Sequence, residues 1–269
     1  MAKAARPRTV TGQSVRQVRP KRRKRHYVRN FFLTLLFLII LMVVAALATF
    51  LVVYATTEIP KPAEFARAQV TSVYYSDGAT EIGKFAEVNR EIIETKDLPK
   101  QIGNAVVASE DRTFWTNSGV DLRGIARAFL NNARGGATQG ASTLSQQYVE
   151  RYYMAENTNQ GNMVQRYWAK AKEAIMALKI NRQQEKDEIL GNYLNTIYFG
   201  RGSYGIQAAA KAYFGKNAQD IDYSEAALLS GIIPAPSAYD PAVNQEIAEK
   251  RWKRVIKNMA ADGYITPEQ

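Results

Sequence analysis

The sequence predicts a mainly α-helical protein with one small β-hairpin, preceded by a single membrane-spanning helix. Three observations predict this. Phe31 to Ala55 reads "FFLTLLFLIILMVVAALATFLVVYA", without a charge. From about residue 98 apolar residues recur at helical spacing almost to the end. Only "QVTSVYYSDGATEIGKFAEV" combines β-branched and aromatic residues around an Asp-Gly turn, at Asp77-Gly78. With 269 residues, 46% of them apolar, the chain can bury a sizeable core.

Residues 1–30 form a basic tail with eleven Lys/Arg and no acid, and the other 25 basic residues balance the 25 acids. All of the +11 net charge therefore sits in the tail, which argues against nucleic acid as a partner of the whole protein. A helix over 31–55 would be roughly 37 Å long, enough to cross a bilayer with some tilt. The basic block before it predicts a cytoplasmic N-terminus, with the rest of the chain extracytoplasmic. The run is too long for the apolar part of a signal peptide, despite "ALA" at 46–48. Residues 56–67 read as a Pro-containing linker and 68–269 as the folded domain. There is no cysteine, and the one histidine, His26, lies in the tail. Both facts argue against a thiolate or His-ligated metal centre and against a Ser-His-Asp triad.

Within the domain, Asp121 can cap a helix with apolar positions Leu122, Ile125, Ala126, Phe129 and Leu130, closed by Gly135-Gly136. Arg123, Arg127 and Arg134 share one face of it, suited to phosphates or lipid headgroups. Thr143 to Gln146 fits a capping box, and Gln146-Gln147 at a helix start suit sugar hydroxyls or phosphate oxygens. "RYWAKAKEAIMALKINRQQEKDEILGNYLNTIYFG" reads as one long helical stretch with Trp168, Ala171, Ile175 and Leu178 as its buried stripe. That stripe leaves Glu173 about 140° from Trp168, a surface acid beside Arg166 and Lys170. Ser224 caps the next helix, Pro234 and Pro236 break the chain, and a last helix runs from about Gln245 to Asp262.

Five segments in order, "SEDRTFWTNSGVD", "GASTLSQQYVERYY", "KAKEAIMALKI", "KDEILGNYLNTIYFGRGSYGIQAAAKAYFGK" and "SEAALLSGIIPAPSAYDP", resemble the motifs of the peptidoglycan glycosyltransferases. These are the glycosyltransferase domains of class A penicillin-binding proteins and of their monofunctional relatives. The resemblance covers about residues 65–269. It implies a lysozyme-like, two-lobed helical glycosyltransferase domain over 68–269 that polymerises lipid II into glycan strands at the bacterial cell membrane. It also implies roles. Glu110 matches the catalytic general base and Glu173 the second family glutamate. Asp111 orients the loop, and Ser142, Gln146, Gln147, Asn195 and Ser237 match positions that contact substrate or shape the cleft. Lys186, Arg166 or a divalent cation, Mg or Mn, would steady the departing pyrophosphate. No residue set for a metal is evident.

The chain departs from the family at four places. Glu150 stands where a lysine is usual, with Arg151 next to it; Ala169 replaces a basic residue, Ser118 a histidine and Gly191 a glutamate. Glu150 and Arg151 lie about 100° apart on a helix, so only one can face a phosphate beside Gln147, and Coulomb attraction selects Arg151. No Ser-x-x-Lys, Ser-x-Asn or Lys-Thr-Gly motif of a transpeptidase is present. The final "GYITPEQ" lies where class A sequences continue, so a piece of a bifunctional enzyme is the expectation and a monofunctional enzyme the alternative. The resemblance allows other cell-wall synthesis proteins as partners. A glycan-cleaving lytic transglycosylase and an inactive synthesis scaffold are the competing readings.

Overall fold

The computed structural model describes residues 24–57, 70–86, 89–135, 142–153, 162–266 and 268–269. Most of the basic tail and linker, and Gly136, lie outside these. The chain divides into two compact units, residues 1–49 and 50–269.

The first unit holds most of helix α1, Lys24–Thr56, whose mean hydropathy reaches 3.2 over a window within His26–Thr56. Among the described residues it is the one helix long and apolar enough to cross a membrane. It begins seven residues before the uncharged run because nothing in "KRHYVRN" breaks a helix.

In the second unit the predicted hairpin forms from β1, Val70–Tyr74, and antiparallel β2, Glu81–Ala86. Asp77 closes its turn by accepting from the backbone N–H of Ala79 and Thr80 at 2.9 and 2.8 Å. A second, three-stranded sheet was not foreseen. Here β3 (Asn89–Arg90) pairs parallel with β5 (Ser203–Tyr204), which pairs antiparallel with β4 (Tyr198–Gly200). Strands of two or three residues leave no alternation to read.

Helices make up the rest: α2 Lys100–Glu110, α3 Leu122–Ala133, α4 Leu144–Tyr153, α5 Met163–Gln183 and α6 Lys186–Thr196. After them come α7 Ile206–Phe214, α8 Tyr223–Ile232, the single turn α9 Pro236–Tyr239 and α10 Gln245–Ala261. The α2 helix packs against α8 and α10, while α4 packs against α5 and α6. One continuous core joins these groups, with Phe114, Tyr148, Tyr193 and Phe199 fully buried in it. Burying each such ring contributes about 1.5–3 kcal/mol.

The caps at Asp121 and Thr143 form as the sequence predicts. Asp121 accepts from Gly124 N at 2.9 Å; Thr143 and Gln146 exchange side-chain-to-backbone bonds, both 3.2 Å. Three expectations need correcting. Ser224 is not the cap of α8; Asp222 is, in a capping box with Glu225, so the helix starts earlier. The long stretch is two helices, because Gln184 and Glu185 adopt extended backbone between α5 and α6. The buried stripe of α5 holds only in part: Ile175 is buried, but Trp168 is 47% exposed and Glu173 only 1%. Met163, Val164 and Tyr167 are exposed too, so the first half of α5 turns its apolar residues outward. Leu122 and Leu130 of α3 do likewise, beside the exposed Arg123, Arg127 and Arg134.

Candidate active site

Four helices bring the site together. Glu110 is the last residue of α2, half-buried, and Asp111 ends that helix. An acid at a helix C-terminus faces the negative end of the helix dipole, an unfavourable place unless something else holds it. Two donors do. Ser109 Oγ lies 2.9 Å from Glu110 Oε1, and Gln147 Nε2 donates to Oε2 at 3.2 Å. The Gln147 amide is itself fixed, since the buried Tyr193 hydroxyl donates to its Oε1 at 2.9 Å. Burial pushes the Tyr193 phenol far above its usual range, and the charge of Glu110 adds to this, so it stays a donor.

The neighbouring glutamine serves the other acid. Gln146 Nε2 donates to Glu173 Oε1 at 3.3 Å, while its Oε1 accepts from Thr143 N. Successive helical residues point about 100° apart, so adjacent glutamines on α4 reach different carboxylates. Lys170 Nζ lies 2.7 Å from Glu173 Oε2 and 3.1 Å from Glu150 Oε2. Burial raises the Glu173 carboxyl above the usual range, against the opposing pull of Lys170. For Lys170 burial works against the charge, yet the two carboxylates outweigh it and its pKa is raised.

Asp111 has no oxygen left idle. It accepts from Thr113 Oγ1 at 2.9 Å, Asn117 Nδ2 at 2.9 Å and Leu144 N at 3.1 Å, tying the loop after α2 to the start of α4. Gly119 brings the same loop against α5: its φ is +100°, and a Cβ there would lie 2.5 Å from the Ala177 carbonyl oxygen. Asn195 is turned inward, with both ends of its amide bonded to the backbone of Ile93 at 3.1 and 2.8 Å. Lys186 Nζ donates to Asn117 and Asn181 and sits 4.6 Å over the Phe114 ring. Burial lowers its pKa, partly offset by Asp111. Asp111, Asn195 and Lys186 therefore hold the frame in this structure, their polar atoms already engaged by protein.

The remaining expected residues lie further out. Arg151 and Arg166 are exposed on α4 and α5, Ser142 is half-buried just before α4, and Ser237 is exposed on α9. The space of the family's glutamate at 191 is filled by Thr95, whose Oγ1 would be 2.3 Å from a Cβ on Gly191. Sequence reasoning passed over three groups. Tyr193 reads as one more apolar position, and Ser109 as a small helix residue. Arg251 gave no signal: on α10 it stacks 4.5 Å over Tyr239 and donates to the Gly231 carbonyl. Among the described residues no three His, Cys, Asp or Glu gather to hold a metal ion.

Residues 78–260 match the transglycosylase family model. The chain belongs to the transglycosylase family. That makes the matched segment a glycosyltransferase domain of peptidoglycan synthesis. The chain is 40% identical over 223 residues to penicillin-binding protein 1A of Mycobacterium tuberculosis, covering 82% of this chain and 27% of that one. To penicillin-binding protein 1A of Neisseria flavescens it is 41% identical over 199 residues, 74% of this chain and 24% of the relative. A crystal structure of penicillin-binding protein 1A from Haemophilus influenzae aligns with a TM-score of 0.40 at 24% identity, over 74% of this chain and 19% of that one. The chain thus spans about a quarter of the length of the relatives it matches.

Proposed function

We propose that the domain polymerises lipid II at the outer face of a bacterial cell membrane, with Glu110 as the general base. The observation that carries this is the way Glu110 is held: hydrogen-bond donors position its carboxylate, while Lys170 pairs with Glu173 and Glu150 and Lys186 bonds Asn117 and Asn181. A half-exposed carboxylate so placed can take the proton from the acceptor sugar's 4-hydroxyl. The freed oxygen then attacks the donor's anomeric carbon, and polyprenyl pyrophosphate leaves with the bonding electrons. A positioned base contributes roughly 10²–10⁴-fold. The leaving group needs positive charge, which Lys170, Arg151 and Arg166 can supply. Glu150 and Glu173 are already engaged by Lys170, so they offer a divalent cation no ready ligand set, and no step here runs through one.

The apolar helix anchors the protein in this reading, with the basic tail cytoplasmic. The exposed Leu122, Leu130 and arginines of α3 lie against anionic lipid, where the substrate resides. The growing glycan strand is the acceptor, and other cell-wall synthesis proteins are the expected partners.

The test is incubation of the purified chain with labelled lipid II. The parent should form polymer and the Glu110→Gln variant should form none above about 1% of the parent rate, with an unchanged melting temperature. Polymer at close to the parent rate from the variant removes Glu110 from the mechanism. Cleavage of preformed glycan without polymer would point to a lytic enzyme instead.

A further inference from the structure

Glu150 is an acid on the rim of a site that must handle an anion, and the structure gives it a definite partner. Its Oε2 lies 3.1 Å from Lys170 Nζ, across the seam between α4 and α5. Both side chains are substantially open to solvent, at 38% and 51% exposure. The second partner of Lys170 differs: Glu173 is 1% exposed, and its oxygen is closer, at 2.7 Å. The lysine is therefore held from beneath by a buried carboxylate and from above by an exposed one. An exposed pair is weak in water, because solvent screens it and two long side chains lose freedom to form it. A buried pair whose rupture would strand a charge is durable.

We propose that Glu150 is an internal stand-in for the donor's pyrophosphate, holding Lys170 in the empty site and yielding it when a diphosphate arrives. The inference rests on the reading of the domain as a user of a diphosphate-linked donor. Exchange of one carboxylate for a diphosphate leaves the ammonium paired both before and after binding. The hold from Glu173 keeps the lysine in place during the exchange, so the cation does not swing away when Glu150 lets go. Glu150 thereby weakens donor binding without taking part in the chemistry, and it keeps the rim from collecting unrelated anions. It acts as a positioning and specificity residue through Lys170.

Inorganic pyrophosphate is the probe, titrated into the full chain in detergent at low salt, alongside lipid II kinetics. Glu150→Gln should tighten pyrophosphate binding and lower KM for lipid II, each about fivefold, with kcat within about twofold of the parent. Glu150→Asp should return both towards parent values, and added salt should shrink the difference. To separate release of Lys170 from simple loss of repulsion, the Glu150→Gln change is repeated in a Lys170→Met, Glu173→Gln background, where no buried charge is stranded. There the gain in pyrophosphate affinity should vanish. Unchanged or weaker binding by Glu150→Gln, or a full gain in the background lacking Lys170, would overturn the proposal. Normal polymerisation with unresponsive pyrophosphate binding sinks this inference alone. A responsive pyrophosphate site in a chain that never polymerises lipid II sinks the functional reading instead.

Discussion

Glu110 and Glu173 are held by adjacent glutamines on one helix, yet their surroundings are opposites. Glu110 sits at a helix end, half-open, and its bonds come from a hydroxyl and an amide. Glu173 sits mid-helix, fully buried, with a lysine at 2.7 Å. A carboxylate that must accept a proton from substrate has to be reachable and not cancelled by a cation. One that organises positive charge can be deep and paired. The difference supports the proposed assignment of the base to the α2 terminus, with Glu173 buried beside Lys170. The glutamines matter because they set both arrangements from one element.

The comparison breaks most visibly at those glutamines. Gln147→Ala removes an anchor of Glu110 and frees Tyr193, so lipid II turnover should fall at least about tenfold with little change in melting. Gln146→Ala strips one donor from a buried carboxylate and opens the capping box of α4. It should destabilise the fold by about 1–3 kcal/mol in denaturant titrations, with loss of turnover following loss of structure. Equal effects of the two on turnover in fully folded protein would mean that the acids are not separately served.

A subtler test uses pH. The folded Glu173 carboxyl is raised above its unfolded value, so the folded state binds the extra proton and stability from this group rises as pH falls from the raised value towards the unfolded one. Glu173→Gln removes the buried charge. Its melting temperature should exceed the parent's at pH 7, and the gap should narrow on acidification into that window. A gap that widens instead would show that the Lys170 pair outweighs burial. The smallest effect is expected for Arg151→Ala, a several-fold rise in KM for lipid II with an unchanged fold. No rise would leave Lys170 and Arg166 as the donor's cations.

Local chemistry was the most legible part of the sequence. The caps at Asp121 and Thr143, the Asp77-Gly78 turn and the apolar helix each depend on residues within a few positions of one another. Across elements the reading weakened. Helical periodicity places Trp168, Ala171, Ile175 and Leu178 on one buried stripe, but α5 exposes Trp168 and Ala171 and buries Ile175, because only its second half packs into the core. Glu173 accordingly changed from a surface acid to a buried one. The Glu150 to Lys170 pair spans 20 residues, and nothing at either position announces the other. The family resemblance located both glutamates, yet gave no warning that Thr95 would occupy the space left at Gly191.

The proline break after α8 reaches further than its place in the chain suggests. In a continuing helix the Ser230 carbonyl would receive the N–H of residue 234, but that residue is Pro234, which has none. Ser109 Oγ lies 3.1 Å from this carbonyl and 2.9 Å from Glu110 Oε1, with a single hydroxyl proton to give. One missing amide hydrogen therefore sets a backbone oxygen and a carboxylate in competition for the same donor. A charged acceptor draws it more strongly than a neutral one. In the proposed mechanism Glu110 takes up a proton, which would free the hydroxyl to turn back to Ser230. The loop that ends α8 thus acts as a resting place for Ser109, and Pro234→Ala would close it by supplying the amide.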